Sequence, residues 1–286
     1  MPLFSVIIPV FNAAQTLPET LRSLEKQSFK DFDVIIVNDG STDNSLENLK
    51  IETADWENVT LLNQQNHGLG MARNTAAKAA TGEWLVFLDA DDYWASDKLQ
   101  VLAMALETQP NTQFIYHAIF EKYPNGMMRK RRFKPIQNLD QFIRLGNPFV
   151  PSAVAIKREV FLKNGGFIED RNEVEDLLLW FRLLKAKINL LPIKRPLTVY
   201  RVGAGVTAKL EEHLQKVEHA LTKALQAGML TAAECDAFRE HKNYEAARQL
   251  HKLGNHELAA NYYTRSNKSS LKFRMLRQLN KLGIAV

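Results

Sequence analysis

The sequence predicts an α/β fold: a mostly parallel sheet with helices on both faces, followed by a small all-α region. Three observations carry this. Short apolar runs alternate with helix-period segments over the first hundred or so residues, which builds parallel β-α units. Those runs are continuous rather than alternating, as strands buried on both faces must be. From Leu210 onward the chain reads as almost entirely helical.

Phe4 to Val10, rich in Val and Ile, is the first expected strand. Thr16 to Gln27 follows with Leu17, Leu21 and Leu24 on one helical face and Thr16 placed to cap it. Asp33 to Val37 is a second buried strand, and Thr42 to Leu49 opens a helix with acidic and hydroxyl residues in its first turn. Val59 to Asn63, Gly70 to Ala80 and Trp84 to Leu88 continue as strand, helix and strand. The rhythm then changes. Gln113 to Lys122 and Met127 to Lys134 flank Pro124-Asn125-Gly126, a hairpin signal. Val174 to Lys187 reads as a helix with Leu177, Leu178, Phe181 and Leu184 on its apolar side, and Leu190 to Val199 as extended chain. A domain boundary is expected near Val206 to Lys209, giving domains 1–206 and 207–286.

The 286 residues, 45% of them apolar, suffice for a substantial core. A net charge of +5 suits an anionic ligand or a membrane surface but is too weak to identify nucleic acid as a partner. Cys235 is the only cysteine, which excludes an internal disulfide and cysteine-type metal clusters. No signal peptide is read at the apolar N-terminus, which lacks a basic lead. No uncharged apolar run reaches about 18 residues, so no transmembrane helix is expected. These features predict a cytoplasmic protein that at most lies on the inner face of a membrane.

In open α/β sheets ligands bind beyond the carboxyl ends of the strands, and the polar residues of this chain gather there. The first strand runs into Pro9-Val10-Phe11-Asn12, the second ends at Asn38-Asp39-Gly40, and the fourth at Asp89-Ala90-Asp91-Asp92. An aromatic face, a lone carboxylate and a carboxylate cluster together suit a nucleotide. Asp89 and Asp91 are two apart, so in extended chain they share a side. Carboxylates without nearby His or Cys select Mg²⁺ or Mn²⁺, which keep positions open for substrate phosphates. A bare Asp-x-Asp is common by chance; its place directly after an apolar strand is what gives it weight.

The order of motifs resembles the inverting glycosyltransferases of family two, which have a GT-A fold. The matching text is SVIIPVFN at Ser5 to Asn12, SLEKQ at Ser23 to Gln27, VIIVNDGSTDNS at Val34 to Ser45, NHGLGMARN at Asn66 to Asn74, GEWLVFLDADD at Gly82 to Asp92, and EDLLLWFRL at Glu175 to Leu183. The resemblance implies a nucleotide-sugar site containing Pro9, Phe11, Asn12, Asp39, Arg73, Asp89 and Ala90. Phe11 would stack on the donor base, where the family usually has Tyr, and Asp39 would accept hydrogen bonds from that base. Arg73 would approach the nucleotide and Asp89 the ribose. Asp91 would hold Mn²⁺ or Mg²⁺ against the diphosphate, and Asp176 resembles the catalytic base. By itself the Glu175-Asp176 pair reads more plainly as acidic residues complementing a helix dipole.

The implied reaction moves a sugar from a nucleotide-diphosphate donor to an acceptor hydroxyl with inversion, in surface polysaccharide or lipid-linked glycan synthesis. Tyr200-Arg201-Val202-Gly203 departs from the family at Gly203, where His often stands, which puts an extra metal or diphosphate contact there in doubt. Two other classes are weighed. A nucleotidyltransferase would be expected to show a Gly-rich, basic loop after the first strand, where this chain has Phe11-Asn12-Ala13-Ala14. A non-catalytic sugar-nucleotide or protein-binding module is disfavoured by the intact Asp39, Asp91 and Asp176.

Three further stretches stand outside the core motifs. Arg129 to Arg132 with Lys134 is balanced between a solvated strand and contact with an anionic acceptor or lipid headgroup. Tyr244 to Ser266 resembles one tetratricopeptide-type hairpin, with Ala247, Gly254, Ala259 and Tyr263 at matching positions; one unit cannot bury its own face, so packing on the catalytic domain or a second copy is expected. Lys268 to Leu282 reads as a basic amphipathic helix, more readily core-packed than membrane-bound.

Overall fold

In a computed structural model of the protein, residues 1–168, 175–202, 206–252, 254–266 and 278 are described. The chain forms two compact units, Met1–Gln137 with Pro148–Ala204, and Asn138–Asn147 with Gly205–Val286.

The strands of the first unit are β1 (Phe4–Val10), β2 (Phe32–Asp39), β3 (Val59–Gln64), β4 (Trp84–Phe87), β5 (Tyr93–Trp94), β6 (Phe114–Lys122), β7 (Met128–Arg131), β8 (Val154–Lys157) and β9 (Leu190–Arg201). They form one sheet in the order β3-β2-β1-β4-β8-β6-β9-β5, with β7 added beside β6. β3, β2, β1 and β4 are parallel, as the alternating pattern requires. β8 runs antiparallel to β4 and β6, β9 lies parallel to β6, and β5 and β7 are antiparallel to their neighbours. The sheet is therefore mixed beyond β4. Parallel pairing needs a long crossover, whereas the Pro124-Asn125-Gly126 turn joins β6 directly to β7 and dictates an antiparallel pair.

Helices α1 (Leu17–Glu25), α2 (Ser45–Glu52), α3 (Leu69–Ala79), α4 (Lys98–Thr108), α6 (Arg158–Lys163) and α7 (Leu177–Lys185) belong to this unit. Every residue of β1 is buried, so both sides of the sheet are covered. Phe4, Val6, Ile8 and Val10 join Leu17, Leu21, Leu24, Leu49, Leu99 and Leu102 in one apolar cluster. Beyond that cluster, Phe87 meets Phe161 and Phe167 at ring separations of 5.6 and 5.4 Å, and Trp180 packs edge-on to Phe114 at 5.4 Å. Edge-to-face packing of this kind fixes side-chain orientation as well as burying area.

Thr16 sits at the head of α1 but makes no capping bond; its hydroxyl donates instead to the Ala90 carbonyl at 2.8 Å. Pro18 lacks a backbone N–H that a cap would have served, which frees the side chain for this longer reach. Helix α2 starts at Ser45, three residues later than expected, because the Asp43 carboxylate turns back onto the Ser45 amide and hydroxyl.

The second unit holds α5 (Leu139–Leu145), α8 (Val206–Gln226), α9 (Ala232–Lys252) and α10 (His256–Arg265). The boundary expected near Val206 to Lys209 leaves 138–147 in the first domain. The structure groups it with the later helices because its apolar side, Phe142 and Ile143, is covered there: Phe142 stacks on Phe238 of α9 at 5.8 Å. A pattern of short-range periodicity cannot reveal a partner so distant in sequence. Gly146, at φ +93, comes so close to His241 that an added Cβ would lie 2.5 Å from Nε2. Thr231 and Glu234 form a reciprocal cap, with amide bonds of 2.7 and 3.2 Å. Ala247, Ala259 and Tyr263 are fully buried where α9 meets α10. The expected amphipathic stretch Lys268 to Leu282 lies, apart from residue 278, outside the described residues. Among the described residues no helix is long and apolar enough to cross a membrane.

Asn74 of α3 clamps the chain before α7 by a two-way bond: its amide donates to the Phe167 carbonyl and accepts from the Phe167 amide, both at 2.9 Å. Replacing it strands two buried backbone groups. Asn74→Ala should lose about 2–4 kcal/mol of stability in urea unfolding, with the slope unchanged.

Candidate functional site

The loop after β1 is locked to the loop after β2. Asn12 adopts a left-handed backbone, φ 50, which Asn tolerates better than most residues. Its amide donates to the Ser41 hydroxyl at 3.1 Å, and its side-chain carbonyl accepts from the Thr42 amide at 2.8 Å. This turn leaves the Phe11 ring 42% exposed. Phe11 and Leu69 form the shared wall of two neighbouring recesses. The smaller, about 240 Å³, is lined by Asp39, Asn66 to Met71, Ile168 and Glu175 as well. The larger, about 660 Å³, takes in Pro9, Asn12, Asp89, Ala90, Asp91 and Tyr200.

Asp39 terminates β2 and is fully buried. Its carboxylate accepts from the Gln64 side-chain amide at 2.7 Å and from the His67 and Gly68 amides at 2.9 and 2.8 Å. A carboxylate offers about four acceptor directions, so one remains. Asp39 thus shapes the loop that lines the small recess besides facing it.

Three carboxylates, Asp89, Asp91 and Asp92, crowd the end of β4. The loop carrying them is held from several sides. Thr16 and Thr20 of α1 donate to the Ala90 carbonyl, and Thr20 also to that of Asp92 at 2.7 Å. The Ser152 hydroxyl accepts from the Asp89 amide at 3.0 Å. The Ser152 carbonyl gathers Trp94 Nε1, Lys98 Nζ and the Thr198 hydroxyl within 3.1 Å. Lys98 is completely buried, its ammonium 3.7 Å from the Trp94 ring centre. Burial pushes that ammonium well below its ordinary range, with Asp92 pulling the other way. Asp92 is buried and raised well above the usual carboxylate range by burial and then by Asp89 and Asp91; its Oδ2 has no partner. Asp91 is exposed to the large recess, yet desolvation and then the Asp89 charge raise it too.

Arg73 does not face either recess. It is 3% exposed and donates to Asp89 at 2.6 Å and to Glu175 at 3.1 Å, with its guanidinium 5.1 Å from the Phe167 ring centre. Burial works against its charge, but the two carboxylates outweigh this and hold it above its ordinary value. Two anions from within the protein, Asp89 and Glu175, draw it inward. Asp176, the residue after Glu175, stands at the head of α7 and lines neither recess. Its Oδ2 accepts from Trp180 Nε1 at 3.1 Å, and burial pushes its carboxyl up to about 6. Arg201 is likewise engaged within the protein, donating to the Asp91 carbonyl and to Glu19 of α1, while its amide donates to Asp92 at 3.0 Å. Gly203 lies outside the described residues.

Hard oxygen donors, mutual repulsion and an unpartnered buried oxygen make this strand end fit a divalent cation. Among the described residues no three His, Cys, Asp or Glu side chains form a ready cage. One or two carboxylates completed by substrate phosphates is the usual arrangement for Mg²⁺.

Residues 5–165 match the family described as Glycosyl transferase family 2. The chain belongs to that family. Among relatives of this family 2 chain, an uncharacterized glycosyltransferase of Haemophilus influenzae is 34% identical over 64% of this chain and 62% of its own length. The amylovoran biosynthesis glycosyltransferase AmsB of Erwinia amylovora is 34% identical over 54% and 56%. The chain thus spans about 60% of the length of these relatives. The Escherichia coli protein WfaP, a UDP-Glc:alpha-D-GlcNAc-diphosphoundecaprenol beta-1,3-glucosyltransferase, is 28% identical over 72% and 79%. The GT-A architecture is shared with TarS of S. aureus (TM-score 0.66, 20% identity, 98% of this chain and 87% of that one). It is shared also with the mannosyltransferase PcManGT of Pyrobaculum calidifontis, solved with GDP-Man and Mn²⁺ (0.65, 20%, 99% and 85%).

The family match ends before α7 and so does not reach Glu175 and Asp176. Sequence reading passed over Glu19, Lys98, Ser152 and Glu175 as structural partners of the site. Each acts across a long sequence separation, and no local pattern announces these contacts. Arg73→Met should leave Asp89 and Glu175 without their shared cation and cost about 3 kcal/mol, the low end for a broken buried pair because both carboxylates are partly exposed. Arg73→Lys should recover only part of that loss, since one ammonium cannot replace the two-pronged fork; chemical denaturation measures both.

Proposed function

We propose that this chain transfers a sugar from a nucleotide-diphosphate donor to an acceptor hydroxyl, with inversion at the anomeric carbon. The observation that carries this reading is the paired recess. Phe11 stands between a small pocket based on Asp39 and a larger one edged by Asp89, Ala90 and Asp91. The small pocket takes the nucleoside base, stacked on Phe11 and met by the remaining acceptor direction of Asp39. The larger takes ribose, diphosphate and sugar along Pro9, Asn12, Asp89 and Ala90. The ligands named for solved structures of this architecture, UDP, UDP-GlcNAc and GDP-Man, support a nucleotide-diphosphate sugar as donor. The named activities of AmsB and WfaP support surface polysaccharide or lipid-linked glycan as its destination. In this reading residues 1–206 are the catalytic domain, and the α9–α10 pair is a tetratricopeptide-like hairpin of the helical domain 207–286.

Asp91 would hold Mn²⁺ or Mg²⁺, which when bound supplies a Lewis acid that neutralises charge on the departing diphosphate. Asp176 accepts the proton of the acceptor hydroxyl as that oxygen attacks, a contribution of about 10²–10⁴-fold. Trp180 holds the base by one oxygen and leaves the other free. Arg73, through Glu175, fixes the head of α7 relative to the end of β4.

Asp176→Asn should abolish transfer while donor affinity stays within about twofold; unchanged turnover would remove Asp176 as the base. A base pushed up to about 6 is protonated and idle below that pH. Transfer should therefore rise tenfold per pH unit below about 6 and level off above it, read from kcat/KM against pH. Asp91→Ala should lose the Mn²⁺-dependent part of donor binding in titration calorimetry and keep the metal-independent part.

A further inference from the structure

The β6–β7 hairpin is a projecting cationic surface that sugar transfer does not use. From Pro124 to Lys130 seven consecutive residues are exposed, including Met127 and Met128 at 52% and 48%. Arg129, Lys130, Arg132 and Lys134 enter no ion pair among the described residues. The one acidic residue of the hairpin, Glu121, sits opposite Arg129 and accepts the Tyr123 hydroxyl at 3.0 Å; a single carboxylate against these cations leaves the hairpin with a positive excess. Two exposed thioether side chains beside four unpaired cations combine an apolar tip with charge behind it. Exposed apolar residues of this size are unfavourable in water, and cations at such a spacing repel one another. An anionic bilayer relieves both penalties.

Placement strengthens the argument. β6 runs parallel to β9, with Lys122 in register with Arg201, and the Val202 amide donates to the Lys122 carbonyl at 2.9 Å. The hairpin therefore leaves the sheet at the strand ends that carry Asp91 and Asp92. Lys122 itself is occupied, 3.8 Å from Glu19, which ties the base of the hairpin to the Arg201–Asp91 contact.

We propose that the 124–134 hairpin docks the protein on an anionic membrane surface, with Met127 and Met128 entering the headgroup region and Arg129, Lys130, Arg132 and Lys134 meeting lipid phosphates. The docking stands on the hairpin's own chemistry. Its purpose, to bring the mouth of the cleft to a lipid-linked acceptor, rests on the proposed transfer reaction.

The test is co-sedimentation of the full chain with vesicles of phosphatidylcholine, alone or with about one-third phosphatidylglycerol. Binding is expected only to the anionic vesicles and should fade toward about 0.5 M salt, where the Debye length is roughly half its physiological value. The triple variant Arg129→Gln/Lys130→Gln/Arg132→Gln should bind on the order of 100-fold more weakly. Met127→Ser/Met128→Ser should bind several-fold more weakly with its salt dependence intact. Thermal unfolding and donor hydrolysis in detergent-free solution should match the parent for both variants. Equal recovery on neutral and anionic vesicles, or undiminished binding by the triple variant, overturns the proposal. Loss of donor hydrolysis in the parent protein would instead strike the transfer reading and leave the docking result standing.

Discussion

The site depends on one buried cation. Arg73 reaches outward from α3 to two carboxylates that belong to remote parts of the chain, Asp89 at the end of β4 and Glu175 ahead of α7. A guanidinium can hold both at once because its donors are fixed in one plane. Without it the strand end and the helix head would each carry an anion with no partner at close range. The geometry of the donor pocket and of the proposed base is thereby a single arrangement rather than two.

Around that bridge the protein tolerates a dense negative charge. Asp89, Asp91 and Asp92 are packed into four residues, and burial first, then their mutual repulsion, raises the affinity of Asp91 and Asp92 for protons. Part of the charge is met from below by Lys98, held by Ser152 and by the face of Trp94. Part is met at the rim by Arg201, which is steadied by Glu19. The exposed remainder is Asp91, which faces the larger recess. Burial at the back and openness at the front divide the labour among three identical side chains.

Much of the architecture was legible in the sequence because its signals are local. Continuous Val and Ile runs gave β1 and β2, helix-period leucines gave α1, and Pro-Asn-Gly gave the β6–β7 turn. Phe11, Asp39, Asp89 and Asp91 were readable as strand-end residues for the same reason. What could not be read is what only three dimensions bring together. Arg73 was assigned to the nucleotide because its motif suggested so, and nothing near it in sequence reveals Asp89 and Glu175 as competing partners. Nothing beside Lys98 in the sequence announces its contacts with Ser152 and the Trp94 ring. The antiparallel insertion of β8 between β4 and β6, and the departure of 138–147 to the helical unit, leave no trace in periodicity.

That departure has a bearing on how the protein is made. During synthesis α5 leaves the ribosome long before α9 exists, so Phe142 and Ile143 must wait uncovered until α9 has been made. The same applies to any shortened version that ends after β9: it would retain a greasy helix whose mate had been deleted. Cutting the gene at the apparent border would thus create a sticky product, and a clean separation requires excising the 138–147 loop as well.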